Sequence, residues 1–141
     1  EYVIPANTLV AGSTIRCRWV TATSASNSTD TLITRLRFGS NTTASSNTEV
    51  AVNTAVDQTN GDFSVGDMVI QIRTSTTAVA FGTISDSDSL GTKLVSAQFE
   101  PSFSIDTTVD NYLNVTTLFS TTGANLATTQ GFIVDIVNPS T

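Results

Sequence analysis

The feature that most restricts this chain is a period of two. Apolar and polar residues alternate through eight separate runs, and no 3.6-residue period competes with them. Ile15, Cys17 and Trp19 alternate with Arg16, Arg18 and Val20, and Leu32, Thr34, Leu36 and Phe38 with Ile33, Arg35 and Arg37. Val50, Val52 and Val56 share one phase across 48–56, with Thr54 between them. Met68, Ile70 and Ile72 alternate with Val69, Gln71 and Arg73, and Val79, Phe81 and Thr83 follow. Val95, Ala97 and Phe99 come next, then Leu113, Val115, Thr117 and Phe119, and last Phe132, Val134 and Ile136. Successive side chains of a strand point to opposite faces, so each run reads as one half-buried strand. Thr and Val, whose branched side chains suit a pleated surface, dominate these runs.

Turn chemistry separates the runs: Ala11-Gly12-Ser13, Gly39-Ser40-Asn41, Asn60-Gly61-Asp62, Ser85 to Gly91, and Thr122-Gly123-Ala124-Asn125. Asn60-Gly61 is the one strong hairpin-type dipeptide. Tyr2-Val3-Ile4-Pro5 reads as the end of a strand already under way. The expected fold is all-β, a jelly-roll-like antiparallel sandwich of about eight strands. One domain spans 1–141, long enough to bury its own core. Charges are too sparse to protect every strand edge. Leu113, Val115 and Phe119 share a strand with Tyr112 and Leu118, which makes both of its faces apolar and marks the first three as interface candidates. A homotrimer is the expected assembly.

Composition excludes much chemistry. Charged residues are only 13% of the chain, and 26 Thr, 17 Ser and 10 Asn fill the polar share. There is no His, which removes the Ser-His-Asp triad and imidazole ligation. A single Cys supports neither an internal disulfide framework nor a thiolate metal site. Cys17, in phase with Ile15 and Trp19, reads as a small buried hydrophobe. A binding or structural role is expected, with no enzymatic activity and no cofactor. The formal charge of −6 argues against nucleic acid. No apolar run approaches the length of a membrane helix. Arg16/Arg18 and Arg35/Arg37 form two R-x-R pairs, read as neighbouring strands sharing a polar face.

Candidate sites therefore rest on oxygen ligands and amides. Asp86-x-Asp88, flanked by Ser85, Ser87 and Ser89, has the look of a calcium loop but lacks the Gly and Glu of an EF-hand, so a solvated acidic loop is the plainer reading. Asp57, Asn60 and Asp62 form a second oxygen-rich turn. The loops at 40–47, 57–62 and 85–92 are the expected binding loops, with Asn41, Asn47, Asp57, Asn60, Asp62, Asp86 and Asp88 as their polar contacts. Trp19, Tyr2 and Tyr112 are aromatics of the kind that stack on sugars, although packing is the simpler role for each.

The stretches IPANTLVAGSTIRCRWV at 4–20, IDTTVDNYLNVTTLFS at 105–120 and GFIVDIV at 131–137 together resemble a β-sandwich module of tailed-bacteriophage virion proteins, which include head fibres, tail fibres and spikes, and capsid decoration proteins. The resemblance covers both ends of the chain, while the middle matches only in strand rhythm. It implies a jelly-roll-like trimer on the exterior of a phage particle, in contact with other virion proteins and with no catalytic residue. The family's usual preceding strand is missing, so the chain is expected to be the C-terminal part of a longer virion protein. Three functions follow as expectations: a fibre or spike module that attaches to a host-surface glycan, a capsid decoration (cement) protein that stabilises the head, and a carbohydrate-binding module.

Overall fold

A computed structural model describes residues 1–26, 29–87, 93–121 and 123–140, with the backbone alone for 93–101. Among the described residues it contains ten strands: β1 (Tyr2–Ile4), β2 (Thr14–Ala25), β3 (Thr31–Gly39), β4 (Thr48–Val52), β5 (Val56–Asp57), β6 (Phe63–Thr74), β7 (Thr77–Ser87), β8 (Lys93–Ser104), β9 (Asn111–Phe119) and β10 (Leu126–Val137). A single 3-10 turn, Ala44–Ser46, breaks the pattern. The first sheet runs β1-β9-β3-β4, with β5 also on β3, and the second runs β10-β2-β6-β7-β8. Every pairing is antiparallel. The fold is an all-β sandwich, and its late strands return to its early ones: β9 slots between β1 and β3, and β10 lies along β2. The alternation called for this antiparallel sandwich, with ten described strands where about eight were expected and with β6, β7 and β8 following one another in one sheet.

The inward residues make one core that contains Ile4, Ile15, Cys17, Trp19, Leu36, Phe38, Met68, Ile70, Ile72, Ile84 and Leu113. Phe38 meets Phe103 edge to face at 6.2 Å between ring centroids, a favoured aromatic geometry. Trp19 is the largest buried side chain, and it fits because its neighbour on β6 is Gly66. A Cβ at Gly66 would overlap the indole ring, so only glycine lets β6 pass beneath it.

Several sequence expectations are corrected here. Strands run longer than their apolar patterns: β2 continues to Ala25 and β6 begins at Phe63, because the inward positions there are Thr21, Thr23 and Ser64. Those residues are buried but polar, so hydropathy alternation stops while the strand goes on. The run 48–56 is two strands. Opposite Leu36 and Arg37 lies a bulge that turns both Val50 and Ala51 inward, and Asn53 then leaves the ladder. Asn60-Gly61 closes no hairpin. Asp62 N–H bonds the Thr59 carbonyl at 3.1 Å across a β-turn with Gly61 at φ 95°, and this turn carries the chain from β5 in the first sheet to β6 in the second. Ser85, Asp86 and Ser87 belong to β7, not to a loop. The two arginine pairs occupy different sheets, Arg16 and Arg18 on β2 and Arg35 and Arg37 on β3, so they share no polar face. Arg35 and Arg37 both pair with Glu49 (2.8 and 3.1 Å), while Arg18 pairs with Asp67 (3.2 Å).

The segments that carry the virion-module resemblance form one frame. Ala6 N–H bonds Asp110 Oδ1 at 2.8 Å, and Asn7, in the left-handed region at φ 62°, donates its N–H to the Thr107 carbonyl at 2.8 Å. Trp19 pairs with Phe132 in register. Gly66→Ala is expected to cost about 2–3 kcal/mol through overpacking against Trp19, whereas Gly131→Ala, whose Cβ meets no atom, is expected to be nearly silent; urea unfolding of both variants measures the contrast.

Candidate functional site

The strand directions sort the loops between two ends of the sandwich. At one end sit the β2–β3 connection, the 57–62 turn and the end of β7. Ser26 N–H bonds Asn60 Oδ1 at 2.9 Å, Thr23 N–H bonds the Asp62 carbonyl at 2.9 Å, and Ser87 Oγ donates to Asp62 Oδ1 at 3.0 Å. The 40–47 loop lies at the opposite end, beside Ser104, Ile105 and Asp106. The 57–62 turn thus meets Ser85–Ser87, the described part of the expected 85–92 loop, and the 40–47 loop lies apart from both. Asp88 lies outside the described residues.

In the converging pair most of the expected contact residues hold structure. Asp62 Oδ2 accepts Thr59 N–H at 2.7 Å and Thr59 Oγ1 at 3.2 Å, which locks the turn. Asp57, at the end of β5, is half-buried rather than solvated. Asn60 remains exposed, with its amide oxygen bound to the backbone of Ser26. At the far end Asn47 is buried. It accepts Asn41 N–H and donates to the Asn41 carbonyl, each at 2.9 Å, so it staples its own loop and leaves Asn41 on the surface.

Asp86 is the largest departure from expectation. Its place is not a solvated acidic loop but the interior between the sheets, at 1% exposure. Ser64 Oγ donates to its Oδ1, as does Asn53 Nδ2 at 3.0 Å. Asn53 Oδ1 in turn accepts Thr34 N–H at 2.7 Å. Thr23 Oγ1 donates to Gln58 Oε1 at 2.8 Å, and Gln58 Nε2 reaches Ser64 Oγ at 3.4 Å. One end of the interior is therefore a hydrogen-bonded polar layer. Burial pushes the Asp86 carboxyl above its usual value, and the bonds from Ser64 and Asn53 oppose that shift only in part. Cys17, at the apolar end, has its thiol pushed up to about 12 by burial, so it stays protonated.

The interface candidates divide. Leu113 is fully buried in the chain's own core, between the sheets, and cannot present itself to a second subunit. Val115 packs against the same core, and Phe119 is half-buried. Exposed apolar side chains occur on both sheets: Leu118 and Val3 on β9 and β1 of the first, and Val20, Phe81, Ile133 and Val137 on the second. Of the aromatics, Trp19 is core, Tyr112 is half-buried and Tyr2 is partly exposed.

The surface feature at the converging end is a cleft of about 540 Å³ on the outer face of the second sheet, lined by Gly61, Asp62, Phe63, Val65, Ser85, Asp86 and Ser87. Its lining is mostly apolar. Phe63 forms one wall at 46% exposure, and Val65 pairs with Ser85 in register on the floor. Sequence reasoning missed Phe63. The available signal was its parity: it is odd-numbered in a strand whose core residues Met68, Ile70 and Ile72 are even, so it must face outward. No family model, no curated protein and no solved structure matches the chain, so the site is read from its own geometry.

Asp86 carries a pH prediction. Its folded-state pKa is raised, so the folded protein prefers the neutral acid; the associated stability is present below the unfolded value near 3.8 and is lost as pH rises through the folded value. The melting temperature is expected to rise on acidification from pH 7 toward pH 4, and Asp86→Asn, which cannot ionise, is expected to flatten that rise. Calorimetry of both proteins across this range measures the difference.

Proposed function

We propose that this chain is a surface module of a tailed-bacteriophage virion, a fibre or spike domain that attaches to a glycan of the host envelope. The observation that carries the reading is the cleft at the converging end, where an exposed aromatic, a fixed carboxylate and hydroxyl groups lie together. Concave sites of this kind, mostly apolar with a few placed polar groups, are where small ligands bind. The three segments that resemble the virion module support it too, since 4–20 pairs with each of the others, through β1 with β9 and through β2 with β10. The composition fits a display role, with few charges and many hydroxyl and amide groups that hydrogen-bond without strong charge.

The proposed assembly is a homotrimer, with the β10 edge, away from the cleft, as the contact. β10 is a twelve-residue edge strand whose outward residues include Ile133 and Val137, and its only charge is Asp135. Such an edge invites pairing or covering. Light scattering is expected to give three times the chain mass of 14.8 kDa. Ile133→Arg is expected to release folded monomer, because residue 133 is exposed within the chain, whereas Leu113→Arg is expected to unfold it. A monomeric wild-type protein rejects the trimer.

The exposed apolar edge also favours a second reading, a capsid decoration protein docked on a head surface. Whole-cell labelling separates the two. Fluorescent protein is expected to label host bacteria, and to lose most of that labelling on Asn60→Ala with Asp62→Ala. Binding to undecorated capsids, with no labelling of any candidate host, rejects attachment and selects decoration.

A further inference from the structure

We infer that the cleft at Phe63 is a subsite for one neutral pyranose ring, stacked by its apolar face on the Phe63 ring and held at its edge by Asp62 and Ser85. This rests on the attachment reading above and gives its ligand a chemical class.

Four observations favour a sugar over other small ligands. Phe63 stands on the outer face of β6 with 46% of its surface open, beside the apolar floor at Val65. A large half-exposed aromatic at the lip of a hollow offers its face to the C–H side of a ring. Next to it, Asp62 is held on both carboxylate oxygens, by Thr59 N–H and Oγ1 on one and by Ser87 Oγ on the other. Each oxygen keeps further acceptor capacity, and the group is already fixed in place, so it can accept a sugar hydroxyl without losing side-chain freedom. Gly61 borders the hollow on an open side, where a Cβ would meet nothing within 4 Å, so a ligand can approach its backbone. The hollow, at about 540 Å³, is larger than a single ring needs, which leaves room for a second residue of a chain.

Charge selects the neutral class. Asp30, Asp57, Asp62 and Asp86 all lie at this end, while the described arginine side chains sit on the sheet faces or toward the other end. An anionic sugar would meet an excess of acidic groups there, these aspartates against one lysine, Lys93, whose backbone pairs with Ser87. Ser87 is already committed, accepting Phe63 N–H at 2.8 Å and donating to Asp62, so among the serines of the cleft Ser85 is the free hydroxyl partner.

The test uses the intact chain and a panel of neutral sugars (glucose, galactose, mannose and N-acetylglucosamine) with glucuronic acid as the anionic comparison. Saturation-transfer NMR is expected to show transfer to at least one neutral sugar and little to glucuronic acid. Amide shifts on titration are expected to centre on Gly61, Phe63 and Ser85. Phe63→Ala is expected to weaken binding about tenfold, the equivalent of roughly 1.4 kcal/mol, and Phe63→Trp to restore or strengthen it. Because residue 63 is half exposed, an unchanged melting temperature in both variants confirms that the fold is intact. Binding that is unaffected by Phe63→Ala, shifts confined to the 40–47 end, or no transfer to any neutral sugar overturns the subsite. The attachment reading is tested separately: wild-type and Phe63→Ala proteins that label host cells equally leave attachment standing and remove only the subsite, whereas failure of both to label any host removes attachment itself.

Discussion

The space between two packed sheets, roughly 10 Å thick, has to be filled completely, and here it is filled in two different ways along its length. At one end Trp19, Phe38, Met68 and their neighbours exclude water by apolar packing. At the other, Thr23, Thr34, Asn53, Gln58, Ser64 and Asp86 fill the same space with hydrogen bonds. The second solution is the more demanding, because a buried polar group without a partner costs about 1–3 kcal/mol. Apolar side chains tolerate small shifts; directional bonds do not. The polar layer therefore fixes the position of the 57–62 turn and the end of β7, and with them the walls of the cleft.

Much of the architecture was legible in the residues. The period of two predicted an all-β sandwich, and the phases of Ile15, Cys17 and Trp19 and of Met68, Ile70 and Ile72 named the inward faces of β2 and β6. Several of the failures share one cause. Wherever an inward position is polar, hydropathy loses the strand. Thr21, Thr23 and Ser64 face inward within strands β2 and β6, and Asp86 sits two residues beyond the inward Ile84 in the same phase. Read by phase alone, Asp86 belongs to the core; read by chemistry, it belongs to a loop. Ser64 and Asn53, which bond its Oδ1 and leave Oδ2 without a protein partner, arrive from β6 and from the residue just after β4, positions far apart in the chain that no local pattern reveals. Leu113 was misjudged the opposite way. Apolar residues on both faces of β9 suggested an external partner, but Leu113 is on the inner face and fills the core, while Leu118 is on the outer, exposed face.

The candidate site was half legible for a related reason. Composition pointed to the 57–62 and 85–92 loops, and the structure brings the 57–62 turn together with Ser85, Asp86 and Ser87. It also changes what those residues do. Asp62 and Asn60 spend their polar atoms on the backbone of neighbouring segments, and Asp86 faces inward. Polar loop residues are recruited first to satisfy the chain's own backbone, so a loop rich in Asn and Asp is weak evidence for ligand contact until its internal bonds are known. The aromatic that faces solvent at the cleft, Phe63, was hidden by its type: Phe is commonly core, and only its parity against Met68 shows that it points out.

This division of labour bears on how such a module would bind. The groups that shape the cleft are already bonded to one another, so little ordering remains to be done when a ligand arrives, and that reduces the entropic cost of association. The same arrangement limits the gain, since Asp62 and Ser87 offer only the capacity left over from their structural bonds. A single shallow subsite with one aromatic wall yields weak affinity. Copies held on a common stiff support convert weak contacts into strong attachment, because each bound copy raises the effective concentration of the next. In the proposed trimer, rigidity of the sandwich and multiplicity would be parts of one solution: the polar layer would keep each cleft in a fixed orientation, and only clefts in fixed orientation can engage a repetitive surface together.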